Sequence, residues 1–150
     1  MPPGAEPNLE LWQPQSPEDW LQARRLVEEY AASLHLDLAF QNIGHELDHL
    51  ASEYSIPTGA FLIAREHGAA LGCVGVRHFA AGDGEIKRLY VVPAARGRGI
   101  GMRLARQIVA EGRRLGYARL LLDTLPTMQE AQAVYALLGF KPTSAYRFNP

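Results

Sequence analysis

The sequence has a single cysteine, Cys73, so a disulfide cannot form within the chain. Cys73 lies in the apolar run ALGCVGV, which favours a small buried strand residue over a nucleophile and is compatible with a reducing cytoplasm. The sequence also lacks an apolar run near the roughly 20 residues that a membrane span needs. The opening MPPGAEP lacks the basic and apolar regions of a signal peptide. We therefore expect a cytoplasmic protein with no membrane partner, a disordered tail over residues 1–8 and one domain over residues 9–150.

The chain also lacks an excess of one charge, since its formal net charge is -1. This balance, without interleaved aromatic and basic residues, predicts no nucleic-acid partner. The signs are nevertheless separated along the chain. Residues 1–55 carry ten acidic side chains and two arginines, whereas residues 87–119 carry nine basic side chains and one acidic side chain. Basic residues among glycines suggest a compact polyanion such as a nucleotide phosphate, although solvated helix faces account for some of these charges.

Hydrophobic periodicity predicts an alternation of strands and helices along the chain. Strands are predicted at residues 9–13, 60–66, 70–79, 85–92 and 119–125. Helices are predicted after the Ser16-Pro17 cap, across residues 43–54, after the glycine-rich segment, and from a capping box at Thr127 to a stop at Gly139.

The second predicted helix contains an H-E-x-x-H sequence at His45, Glu46 and His49. On a helix this spacing can direct two imidazoles at one zinc ion and supply a glutamate as general base, as in zinc peptidases. No third ligand follows at a place where it could join them on a helix, and the apolar stripe of this helix lies on another face. We therefore interpret the three residues as a solvated helix face and predict no metal site, with a zinc peptidase as the remote alternative.

A glycine-rich segment joins a predicted strand directly to a helix. It reads R-G-R-G-I-G-M from Arg96 to Met102, so backbone N–H groups at the helix start can converge on an anion. Glycines at 97, 99 and 101 remove the Cβ atoms that would keep phosphate oxygens away. The segment is neither a dinucleotide fingerprint, since Met102 replaces the third glycine, nor a P-loop, which needs Gly-Lys-Ser/Thr.

Four motifs in order give the chain a specific resemblance to a known family. E-x-K-R-L-Y-V begins at Glu85, R-G-x-G-x-G at Arg96, L-D-T at Leu122, and A-x-x-V-Y-x-x-L-G-F at Ala131. This pattern resembles the GNAT superfamily of N-acetyltransferases, over residues 9–140. The resemblance implies an α+β fold whose mixed sheet is flanked by helices and splayed between its fourth and fifth strands, with acetyl-CoA in the gap. The sequence departs from the pattern at Met128, where many relatives carry an asparagine that contacts the cofactor.

The resemblance also implies the roles of particular residues. The pyrophosphate of acetyl-CoA would bind the N–H groups of the seven residues Arg96, Gly97, Arg98, Gly99, Ile100, Gly101 and Met102. The segment Leu89, Tyr90 and Val91 would bind the pantetheine arm through the backbone of its first and last residues. Glu85 would deprotonate the amine directly or through water, although a structural pair with a nearby arginine is also open. Tyr135 would protonate the leaving thiolate, with core packing as its alternative.

The acceptor is expected to be a primary amine, either a small molecule or a peptide. Tyr30, His35, Asp37, Phe40, Asp48 and His49 are candidate contacts to it. A non-catalytic acyl-CoA-binding module remains an alternative. The ten residues after Phe140 are too few for the two closing strands that relatives carry, so we expect a missing or incomplete C-terminal strand and a possible homodimer through an unpaired edge.

Overall fold

The computed structural model describes residues 9–33, 43–122 and 129–142. The described strands form one sheet in the order β1-β2-β3-β4-β5. These strands are β1 Leu9–Trp12, β2 Ala60–Glu66, β3 Ala69–Ala80, β4 Asp83–Val91 and β5 Arg119–Leu122. The described helices are α1 Pro17–Ser33, α2 Ile43–Asp48, α3 Leu50–Glu53, α4 Ile100–Arg114 and α5 Gln129–Leu137, and a 3-10 turn, Pro93–Ala95, precedes α4.

The sheet is mixed. Strands β1 to β4 are antiparallel neighbours, whereas β5 runs parallel to β4. A parallel neighbour needs a crossover, and α4 provides it. The predicted β2 matches the structure residue for residue, while β3 and β4 each begin one or two residues earlier than predicted. The expected α+β architecture is therefore confirmed.

Apolar clusters cover both faces of the sheet. On one face α1, α2 and α3 pack through residues such as Val27, Leu47 and Tyr54. On the other face α4 and α5 pack through residues such as Leu104 and Tyr135. Central strands covered on both faces leave β4 with little exposed surface, and its polar side chains must find partners inside the protein.

A β-bulge interrupts β4. Cys73 pairs with Tyr90 but Gly75 pairs with Lys87, so three steps along β4 match two along β3. The extra residue is Arg88, whose φ is +66°. Because a regular strand alternates faces, Lys87 and Tyr90 would lie on opposite faces without the bulge. With the bulge both face α1 to α3.

Strand β5 covers only part of β4. Its described residues pair with residues 83–86, the first four of β4. Within the described chain, residues 87–91 have a strand neighbour on the β3 side alone. The described sheet is therefore open along the second half of β4, where the sequence predicts the cofactor gap.

Several predictions fall outside the described residues. They concern the tail over residues 1–8, the candidate contacts His35, Asp37 and Phe40, and the chain after residue 142. The capping residue Thr127 and Met128 also lie outside them. The helices that the structure describes include none that is long and apolar enough to cross a membrane.

Candidate active site

The glycine-rich segment carries β4 into α4 through two residues with left-handed backbone. Gly97 has φ +85° and Gly99, the N-cap of α4, has φ +78°. The first helical hydrogen bond runs from Arg103 N to Gly99 O, at 3.2 Å. The N–H groups of residues 100–102 are therefore outside the helical pattern and available to an anion. A Cβ placed on either glycine would meet no atom within 4 Å, so open space lies over this backbone.

The second half of β4 directs backbone groups away from β3. Val92 N donates to Leu71 O at 2.9 Å, so the alternation of an antiparallel strand turns the N–H and C=O of Val91 towards the open edge. Residues two apart in a strand have the same orientation, so the N–H and C=O of Leu89 also face the open edge. Arg96 Nε already donates to Val91 O at 3.0 Å. A pantetheine arm that uses this carbonyl must share it with Arg96 or displace the guanidinium.

The side chain of Tyr90 faces the α1 side of the sheet. Its hydroxyl donates to Glu29 Oε2 at 3.2 Å, and its ring meets Tyr30 edge to face at 6.2 Å. Burial, followed by the charge of Glu29, raises the pKa of Tyr90. The guanidinium of Arg96 lies 5.9 Å from the ring centre. Of the three predicted cofactor-strand residues, Tyr90 therefore anchors the strand to α1 and holds Arg96 above it.

Arg98 is tied to a different part of the sheet. Its Nη2 lies 2.5 Å from Glu66 Oε2, at the end of β2, and both side chains are half-buried. This ion pair fixes the glycine-rich segment against the sheet. The backbone N–H of Arg98 is therefore the group that can make the predicted phosphate contact, because the guanidinium is already paired with Glu66.

Glu85 is buried near the start of β4, with 1% of its surface exposed. Its Oε1 lies 3.5 Å from Nε of Arg77, the residue opposite it on β3. The same guanidinium reaches Glu53 at 2.8 Å and Glu46 at 3.3 Å. The alternative that the sequence left open, an arginine pair, is thus present in the structure, and it does not exclude a catalytic role.

A cleft of about 460 Å³ opens beside Glu85 on the α3 side of the sheet. Besides Glu85, its lining residues are Ser52, Glu53, Thr58, Arg77, His78 and Phe79. Lys87, two residues further along β4, is largely buried, and burial followed by the charge of Arg88 lowers its pKa to about 8. The cleft thus has a carboxylate, Glu85, in its wall and suits a small polar or cationic molecule.

Tyr135 lies on the opposite face of the sheet, on α5. It is 5% exposed, and its ring meets Phe140 edge to face at 5.3 Å. Burial, with a smaller contribution from Tyr30, raises its pKa well above the ordinary value. The hydroxyl therefore stays protonated at neutral pH, as a proton donor requires.

Cys73 does not have the environment of a nucleophile. It is fully buried, and its Sγ donates to Arg88 O at 3.3 Å. Burial raises the thiol pKa far above its ordinary range, so the thiolate is not formed at neutral pH. The sequence-based preference for a structural cysteine agrees with this geometry.

The H-E-x-x-H residues divide between surface and core. His45 and His49 are exposed and stack with ring centres 4.2 Å apart. The prediction of a solvated face is wrong for Glu46, which is 2% exposed and forms a bidentate ion pair with Arg88. The single predicted helix is also wrong. His49 N bonds to Glu46 O, three residues back, and this tight turn ends α2 at Asp48 before α3 begins.

Sequence reasoning missed both members of this pair. One signal was available, because Lys87 and Arg88 are adjacent in an otherwise apolar strand, EIKRLYVV. In a strand covered on both faces, at least one such charge must be buried and must have a carboxylate partner. Which carboxylate it is depends on tertiary packing, since Glu46 is 42 residues away.

The candidate acceptor contacts that the structure describes lie in different environments. Tyr30 is buried under the guanidinium of Arg88, which lies 5.6 Å from its ring centre. Asp48 is exposed and pairs with Arg24 on α1 at 3.1 Å. His49 is exposed, with Nδ1 2.8 Å from His45 O. None of them lines the cleft beside Glu85, so their contact with an acceptor stays a prediction.

Comparison with known proteins agrees with this geometry. Residues 9–140 match the acetyltransferase (GNAT) family. The chain is 41% identical over 145 residues to an uncharacterised N-acetyltransferase of Schizosaccharomyces pombe, covering 95% of this chain and 89% of that protein. It is 38% identical over 117 residues to the IAA acetyltransferase of Azospirillum brasilense, covering 77% and 74%.

Solved structures share the fold. An acetyltransferase of Clostridium acetobutylicum, crystallised with acetyl-CoA, superposes with a TM-score of 0.76 at 13% identity, over 95% of this chain and 96% of that one. The open mixed sheet with flanking helices is therefore the fold of an acetyltransferase. The chain belongs to the GNAT acetyltransferase family, which confirms the resemblance seen in the motifs.

The metal prediction can be tested directly. The residues that the structure describes bring together no group of three or more histidine, cysteine, aspartate or glutamate side chains fit for a metal ion. Glu46, which would be the base of a zinc peptidase, is held by Arg88. We expect no stoichiometric zinc in elemental analysis of the purified protein. His45→Ala should leave acetyl transfer within a few-fold of the wild type, and one tightly bound zinc per chain would contradict us.

Proposed function

We propose that this protein transfers the acetyl group of acetyl-CoA to a primary amine by direct attack. The observation that supports this best is the run from Leu89 to Met102, in which an open strand edge leads into a glycine-rich helix start. Such a run offers strand-like bonds to a pantetheine arm and then N–H groups to a pyrophosphate. The residues therefore fit acetyl-CoA, and no metal is required. Acetyl-CoA supplies an acetyl thioester.

Glu85 prepares the acceptor in this proposal. A lysine-type amine has a pKa near 10.4, so nearly all of it is protonated at pH 7 and cannot attack a carbonyl carbon. Glu85 accepts the proton, directly or through one water. Its burial and its position in the wall of the cleft support this role. Arg77 Nε, 3.5 Å from Glu85 Oε1, helps to hold the carboxylate in position.

Two groups handle the charge that develops during transfer. The backbone N–H of Leu89 points to the open edge of β4, where it can donate to the carbonyl oxygen as that oxygen becomes negative. The hydroxyl of Tyr135 gives its proton to the departing sulfur. A tyrosine hydroxyl with its ordinary pKa near 10 already carries a proton at neutral pH, and burial raises the pKa of Tyr135 further.

The acceptor is a small molecule or peptide that presents a primary amine to the cleft. Glu53 and Glu85 line the cleft with Arg77 between them, so a cationic amine is better matched than an anion. The direct test is a panel of amines incubated with acetyl-CoA, with thiol release as the readout. Transfer to at least one amine is the expected result. Acetyl-CoA binding without transfer across the panel would favour the non-catalytic binding module.

Tyr135→Phe tests the assignment of the acid. The phenylalanine ring keeps the packing against Phe140, so acetyl-CoA affinity should stay nearly unchanged. Turnover should fall roughly 10²-fold or more and stay low from pH 6 to pH 10, because solvent base cannot replace a proton donor. If Tyr135→Phe keeps wild-type turnover under conditions in which the chemical step limits the rate, Tyr135 has only a packing role in the core.

A further inference from the structure

Arg88 holds a conformation that its residue type disfavours. Its φ of +66° is in the left-handed region, where a side chain with a Cβ is strained and glycine is not. It is also a long cationic side chain that is 3% exposed. Neither feature persists unless the surroundings stabilise it. Those surroundings therefore set the shape of β4 at the bulge.

Glu46 supplies the main stabilising contact. Nε of Arg88 lies 2.7 Å from Oε2 of Glu46, and Nη2 lies 2.9 Å from Oε1, in parallel bidentate geometry. Oε1 also lies 3.3 Å from Nη1 of Arg77. Both members of the Glu46–Arg88 pair are buried, so water does not screen them. The carboxylate thus pins the bulge residue to α2 from outside the sheet.

Two further contacts to Arg88 are of a different kind. The Tyr30 ring lies under the guanidinium at 5.6 Å, and Cys73 Sγ donates to the carbonyl oxygen of Arg88. Neither contact joins the side chain of Arg88 to α2. Loss of the Glu46 carboxylate removes a bidentate anchor from a buried guanidinium, so the Arg88 side chain is expected to move. Movement of this side chain would turn its backbone out of the left-handed region, which would straighten the strand.

We propose that Glu46 is a positioning residue that fixes the β4 bulge and so directs the backbone of Leu89 and Val91 into the cofactor gap. The inference rests on the proposed function, because it assigns those backbone groups to the pantetheine arm. If the bulge relaxed, every later residue of β4 would shift register by one and turn to the other face. In this proposal Glu46, the glutamate of the H-E-x-x-H sequence, stabilises the conformation of β4 through its contact with Arg88.

The first experiment compares two ligands by calorimetry in Glu46→Gln. The full ligand is CoA, and the truncated one is 3′-phosphoadenosine 5′-diphosphate, which carries the pyrophosphate without the pantetheine arm. CoA affinity should fall about tenfold, whereas affinity for the truncated ligand should stay within twofold. A general loss of structure would instead weaken the binding of both ligands. Unchanged CoA affinity in the folded variant would overturn the inference.

The second experiment remains informative even if Glu46→Gln alone does not fold. In the Glu46→Gln background, Arg88→Gly and Arg88→Ala both remove the guanidinium and differ by one methyl group. Glycine accepts a positive φ and alanine resists it, so the glycine variant should recover CoA affinity and the alanine variant should bind about tenfold more weakly. Equal affinity in the two variants would show that the conformation at residue 88 has no bearing on CoA binding.

Asp19→Asn is the matched control. Asp19 on α1 pairs with Arg65 on β2, so it also joins a helix to a strand through a largely buried ion pair. Its loss should lower the melting temperature and leave the affinities for both ligands unchanged. Failure of the wild-type protein to bind CoA would refute the proposed function itself, whereas wild-type binding with an unaffected Glu46→Gln variant would refute only the positioning role.

Discussion

Glu85→Gln is expected to lower kcat near pH 7 by roughly 10² to 10⁴-fold, the usual worth of general acid-base catalysis. Glutamine has nearly the same shape as glutamate, so the protein should stay folded. What it cannot do is take a proton from the ammonium. If Glu85 were only a structural partner of Arg77, the substitution would lower the melting temperature and leave kcat near the wild-type value.

The pH profile of this variant carries the sharper information. Below the pKa of the amine, each increase of one pH unit raises the neutral fraction of the amine about tenfold. The kcat of Glu85→Gln should therefore climb steadily from pH 7 to pH 9. The ratio to the wild type at each pH is the quantity to plot, because it removes the pH dependence that the two proteins share. A ratio that stays flat with pH would contradict a role for Glu85 as the base.

Asp83→Asn provides the control for Glu85. Asp83 is on the same strand and pairs with Arg119 at the surface, at 2.8 Å. The same change from carboxylate to amide is made there without touching the cleft. We expect kcat within a few-fold of the wild type and no change in the shape of the pH profile.

Gly99→Glu is expected to abolish measurable binding of acetyl-CoA. The substitution places a carboxylate at the N-cap of α4, where the N–H groups of residues 100–102 would otherwise meet a phosphate. The new side chain has open space around its Cβ, and a carboxylate at a helix start interacts favourably with the helix dipole. The protein should therefore fold, despite the strain of φ +78°. Calorimetry with acetyl-CoA is the measurement.

Gly116→Glu controls for that strain. Gly116 follows the C-terminal end of the same helix with φ +94°, and a Cβ at this position would also meet no atom within 4 Å. The substitution adds the same side chain at a similar backbone angle, far along α4 from the glycine-rich segment. It should cost stability and leave acetyl-CoA affinity unchanged. Equal affinities in Gly99→Glu and the wild type would sink the assignment of the segment to the pyrophosphate.

Structural features that depend on residues close together in the sequence could be predicted from the sequence. The Ser16 cap of α1, the strand at residues 60–66 and the Gly97 and Gly99 turn into α4 each depend on local backbone preferences. The motif spacing then predicted the family and the fold. The helix predicted to stop at Gly139 contains Tyr135, and the structure places Tyr135 on α5.

Features set by distant contacts could not be predicted. Glu46 was predicted on a solvated face because the apolar stripe of the predicted helix lies on another face. Its burial depends on Arg88, and Arg88 reaches the α2 side of the sheet because it is the extra residue of the β4 bulge. Strand alternation inferred from the sequence assumes a regular register, so a single bulge reverses the assignment for every residue after it.

The buried Glu46–Arg88 pair also ties the integrity of the site to acidity. Burial tends to raise the pKa of Glu46, but the hydrogen bond and charge of Arg88 outweigh burial and lower it. A carboxyl group with a lowered folded-state pKa stabilises the protein fully above its unfolded pKa, near 4.3, and loses that contribution as the pH falls through the folded value. Neutral and alkaline solutions therefore leave this tether intact. In strong acid, protonation of one carboxylate would release the strand that borders the gap.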